Sequence, residues 1–126
     1  MVTTDISQLT AECNTWRANM RNYREEFTQY KNRLQEVATR QLSGNALQEI
    51  EHFQNQFHIQ LINIHDLKQS IKEHERKTSW DISTDKGIGD ADWAKHEELF
   101  DRYQQLDHTL SELKDEFNRF VQRMNA

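Results

Sequence analysis

The chain holds one cysteine, Cys13, and six histidines. A thiolate and imidazole nitrogens are donors that zinc favours, usually gathered in sets of three or four. No short-range metal-ligand spacing is present, so any such site has to be assembled by the fold. Three residues are candidates for that assembly: Cys13, His74 and His96. Water or a carboxylate such as Glu73 or Glu97 would complete the set. A cysteine beside a histidine also has the chemistry of a nucleophile and its base. No catalytic signature surrounds either, so no catalytic residue is assigned and an enzyme is not expected. The plainer reading is a polar layer at a bundle end, where imidazoles reach water or a neighbour.

Oxygen donors gather in a second place. From Asp81 the sequence reads DISTDKGIGDAD. Asp81, Ser83 and Asp85 resemble the first, third and fifth places of an EF-hand calcium loop, Ile88 the eighth and Asp92 the twelfth. Lys86 stands where the turn glycine belongs, and the last acid is the shorter Asp92 in place of glutamate. The resemblance implies calcium. The composition alone implies a flexible connection, because Asp, Ser, Thr and Gly are turn residues. Asp90 is then a natural N-cap for the next helix, with Asp92 in its first turn. Trp80 and Trp93 are placed to close over that end. A third group, Glu49 and His52, has the Glu-x-x-His form of di-iron bundles but lacks the second pair such sites need.

What positions these residues is a heptad pattern. In the first segment the stripe runs Ile6, Leu9, Cys13, Trp16, Met20, Tyr23, Phe27, Tyr30, Leu34 and Val37, in unbroken steps of three and four. That spacing keeps one seam of an under-wound helix facing its partners. The second segment repeats it at Ile50, Phe53, Phe57, Gln60, Ile64, Leu67, Ile71, His74 and Thr78. The third runs His96, Leu99, Tyr103, Leu106, Leu110, Leu113, Phe117, Phe120 and Met124, with Trp93, Phe100 and Val121 widening the stripe. There is no proline and there are three glycines, so few points force a helix to stop.

The expected fold is all-α: a single elongated, antiparallel, up-down-up three-helix bundle with helices near 4–42, 46–77 and 91–125 and a loop at 78–90. Between the first two helices, Gly44 suits a left-handed helix end, Asn45 an N-cap and Gln48 a capping box. Folding back at both connections sets Tyr30 beside Phe57, Cys13 beside His74, His74 beside His96 and Phe53 beside Phe117. Cys13, His74 and His96 then share one level, with Thr78 and Asp92 one layer further out. The periodicity, with Trp16 in helix 1, broadly resembles spectrin-type repeats in architecture. Many unrelated bundles share it, so no family is assigned.

Charge and hydropathy narrow the function classes. Net charge is −5, with acids and bases interleaved, and no basic stripe suited to nucleic acid stands out. No apolar run approaches the ~20 residues of a membrane span. The opening decapeptide lacks a signal-peptide pattern, and a lone cysteine excludes an internal disulfide, so a cytoplasmic setting is expected. On helix 2, Ile59 and Ile62 fall opposite the seam, flanked by His58 and His65. An apolar patch there predicts a contact surface for a second copy or another helical protein. The resulting expectation is a non-enzymatic interaction or structural module. The alternative is a small metal-binding protein built on Cys13, His74 and His96.

Overall fold

The computed structural model describes residues 3–40, 42–84 and 87–125. Its elements are α1 (Thr3–Ala38), α2 (Gly44–Ser83) and α3 (Asp90–Asn125), of 36, 40 and 36 residues. At 1.5 Å per residue these helices run about 54–60 Å. α2 packs on both neighbours, and α1 also touches α3, so the three form a bundle.

The heptad stripes become the core. Every seam position of α2 from Ile50 to Thr78 is buried, as are Leu9, Cys13, Trp16, Met20, Phe27, Leu34 and Val37 of α1. α3 contributes His96, Leu99, Leu110, Leu113, Phe117, Phe120 and Val121. The middle and closed end are aromatic. Phe57 meets Phe117 edge-on at 5.0 Å between ring centres, Tyr30 lies 5.0 Å from Phe117, and Phe53 lies 5.2 Å from Phe120. Such pairs add about 0.5–1.5 kcal/mol each beyond the area they bury. Tyr30 against Phe57 (6.1 Å) and Phe53 against Phe117 (5.4 Å) show the register that the seam pattern predicts.

Polar ties run along the α1–α3 face. Glu12, Asn19 and Glu26 recur every seven residues on α1 and meet His96, Tyr103 and Lys114. The Tyr23 hydroxyl donates to Asp107 at 2.8 Å. Burial and that carboxylate together hold the Tyr23 phenol above its ordinary range.

The helix ends differ from expectation in ways the local chemistry explains. α1 stops at Ala38, four residues early, in a tightened turn where Arg40 N–H donates to Val37 O. Ser43 precedes α2 in extended conformation, and Gly44 is the first helical residue, not a left-handed terminator. Asn45 therefore lies inside the helix. α2 continues six residues past its expected end, through Ser83. Nothing there breaks it: Thr78 still fills the seam, Lys77 pairs with Asp81 at 2.7 Å, and Ser83 donates to Trp80 O. The turn comes at Gly87, whose φ of +66° lies in the left-handed region that glycine adopts without strain. Gly89, not Asp90, caps α3. Its carbonyl accepts from Asp92 and Trp93 N–H, while its own N–H donates to Asp92 Oδ2. Among the described residues no helix is long and apolar enough to cross a membrane.

Candidate metal centre

Each helix delivers one residue to a single point near the α2–α3 turn. Cys13 comes from α1, His74 from α2 and His96 from α3, and all three are buried. One donor atom from each lies within 4.8 Å of the other two. His74 Nε2 stands 3.2 Å from His96 Nδ1, and Cys13 Sγ stands 3.9 Å from the same nitrogen. In a zinc tetrahedron, ordinary Zn–N and Zn–S bonds put two nitrogens about 3.3 Å apart and a sulfur about 3.6 Å from a nitrogen. Two edges of the triangle are therefore close to coordination size already. The Cys13–His74 edge lies within 4.8 Å.

Packing fixes the ring that touches both partners. Trp16 stacks on His96 at 4.7 Å between ring centres, and Trp93 meets it edge-on at 6.1 Å. Glu12 Oε1 approaches His96 Nε2 at 3.5 Å without making a hydrogen bond, since this buried nitrogen has no partner in bonding geometry. A carboxylate on that side favours the proton at Nε2 and leaves Nδ1 as the acceptor facing Cys13 and His74. This is how ligand histidines are commonly oriented. The tautomer is assigned here from the partners.

The electrostatics suit a closed tie better than a nucleophile. Burial pushes the Cys13 thiol up to about 12, with Glu75 and Glu12 adding to the rise and Arg17 opposing it. Reactive cysteines are shifted the other way. Burial lowers the pKa of His74, and the neighbouring His96 lowers it further, so His74 stays neutral. Outside the triad the polar layer continues. Thr78 donates to Glu75 O, and buried Asp92 accepts from Lys77 at 3.1 Å.

Glu12 and Glu75 act on the Cys13 thiol, whereas Glu73 and Glu97 lie exposed on the outer faces. A signal for both was present. Each adjoins a ligand in sequence, at the heptad positions flanking the seam, where side chains lean over the core edge. Glu75 is already engaged by Arg17 at 2.7 Å.

The oxygen-donor loop is placed differently. Asp81 and Ser83 sit on the last turns of α2, where Asp81 pairs with Lys77 and Ser83 bonds its own helix. Asp92 is buried in the first turn of α3. Asp85, like Lys86, lies outside the described residues. Helical Asp81 and Ser83 do not present ligands on alternate residues of one loop, because the α-helix turns them to different faces. Trp93 does pack on this end of the core, but Trp80 is 70% exposed and covers nothing. Glu49 is held by Arg123 through both carboxylate oxygens, at 3.2 and 3.3 Å. On the outer side of α2, Ile59 and Ile62 are 45% and 48% exposed, and His58 and His65 are exposed beside them.

Comparison with protein-family models, with curated proteins and with solved structures gave no match.

Proposed function

We propose that the chain is a non-enzymatic helical module whose loop end is clasped by a divalent metal, zinc by its ligand set, held by Cys13, His74 and His96. The carrying observation is that one thiol and two imidazoles, one from each helix, converge in the buried interior to within 4.8 Å. The reading is supported by the carboxylate behind His96 and by the neutral state of His74. Water is the natural fourth donor, since Glu12 stands behind His96 on its Nε2 side. Burial of all three ligands favours a structural role, in which the metal ties α1 to the α2–α3 turn, over a substrate-facing centre. A cytoplasmic setting, where thiols stay reduced, keeps Cys13 able to bind. Equilibrium dialysis tests the assignment. One zinc per chain is expected for the natural sequence, with affinity falling about 100-fold or more in Cys13→Ser and in His96→Gln. Equal binding by the natural chain and both variants would overturn it.

A second reading concerns partners. The half-exposed Ile59 and Ile62, with His58 and His65, support association of this α2 face with a second copy or another helical protein. A solution mass that stays monomeric at high concentration removes the self-association form of this reading.

A further inference from the structure

The groove between α1 and α2 carries an unusual charge arrangement. It is lined by Asn14, Arg17, Ala18, Arg21, Lys68 and Lys72, with a volume of about 390 Å³. Arg17 and Arg24 each follow a seam residue on α1, as Lys68 and Glu75 do on α2. In an antiparallel pair these flanking positions face each other, and opposite charges there ordinarily fix the pairing. Arg17 and Glu75 obey that rule at 2.7 Å. The next pair along, Arg24 and Lys68, breaks it.

Arg21 and Lys72 add two more cations to the same place. Among the described residues, no carboxylate pairs with the side chains of Arg21, Arg24, Lys68 or Lys72. Lys68 is partly buried, and its pKa is lowered by that burial and then by Arg24, Lys72, Arg21 and Arg17 in turn. In a chain of net charge −5, three unpaired cations lining one interhelical groove, with Arg24 acting on Lys68 beside them, form a local site of opposite sign to the whole.

We propose that this groove binds a small polyphosphate anion, its phosphoryl oxygens held by Arg21, Lys68 and Lys72 with the Asn14 amide at one end, and with Arg24 adding positive charge beside Lys68. Charge matching selects the class. One phosphate group brings about −1.5 to −2 near pH 7 and leaves much of the cluster uncompensated, whereas a di- or triphosphate brings enough. Guanidinium groups also grip phosphate through paired hydrogen bonds. The size of the groove suits a small molecule.

The test uses metal-free full-length protein titrated calorimetrically with inorganic triphosphate. Binding at one site is expected, weakening steeply with salt. The paired substitution of Arg21→Gln and Lys68→Gln is expected to lower affinity about tenfold or more. The same pair is expected to leave the melting temperature unchanged or raised, because it removes repulsion. A parallel titration with a nucleoside triphosphate separates the sources. Equal affinity assigns recognition to the phosphates alone, and tighter binding adds a contact to the nucleoside; both outcomes support the site. Absence of triphosphate binding at low salt, or binding indifferent to the paired substitution, overturns it. So does tighter binding of a glutamate-rich peptide than of triphosphate.

Discussion

If zinc is held by Cys13, its affinity must follow the thiol proton, and the structure sets how steeply. The metal-free thiol is pushed up to about 12. At pH 7.5 roughly one chain in 30,000 then carries a thiolate, and removing the proton costs roughly 6 kcal/mol at 1.36 kcal/mol per pH unit. Structural zinc in zinc-finger peptides shows apparent binding energies of about 10–16 kcal/mol, a scale on which this cost weakens a site without abolishing it. His74 is neutral and has no proton to release there. The apparent zinc association constant is therefore expected to rise about tenfold per pH unit between about pH 7 and pH 8.5, without levelling off. Calorimetry in two buffers of different ionisation enthalpy should report close to one thiol proton released per zinc. The Cys13→Ser variant should lose both the slope and that proton. An affinity independent of pH in this range, or no proton release, would refute coordination by Cys13.

The remaining expectations concern the metal-free bundle. His74 has a native pKa below its ordinary value of 6.5, so the unfolded chain takes up the proton first as pH falls. Its contribution is fully present above about 6.5 and is lost below it; thermal melts in chelator should fall on that side, less so in His74→Gln. Phe57 is fully buried among Phe27, Tyr30, Phe53 and Phe117. Phe57→Ala should cost about 3–5 kcal/mol in a denaturant titration. Trp80, 70% exposed, should tolerate Trp80→Ser within about 0.5 kcal/mol while the solvent-exposed part of the fluorescence disappears.

The seams were legible because heptad spacing is redundant: ten positions on α1 and nine on α2 each repeat the same statement about which side faces inward. That redundancy also fixed the register well enough to bring Cys13, His74 and His96 to one level, although they lie far apart in sequence. Helix ends carried no such redundancy. Gly44 and Asn45 offer terminator and cap chemistry, yet the chain uses Ser43 and starts α2 at the glycine. Acidic residues at 81–92 suggested a loop, but Thr78 in the seam and Lys77 reaching Asp81 carry the helix onward to Ser83. The basic groove was hidden for a different reason. Arg17, Arg21 and Arg24 share one side of α1, and Lys68 and Lys72 share one side of α2. Interleaved acids on the other faces made both stretches read as mixed charge. Only the pairing of the two helices brings the cations together.

X-ray absorption at the zinc edge of stoichiometrically loaded protein tests the central assignment most directly, because it identifies the donor atoms. The account predicts one sulfur at about 2.3 Å and two imidazole nitrogens at about 2.0–2.1 Å, with one light atom completing the shell. The sulfur should vanish in Cys13→Ser. A shell of oxygen and nitrogen alone in the natural chain would contradict it.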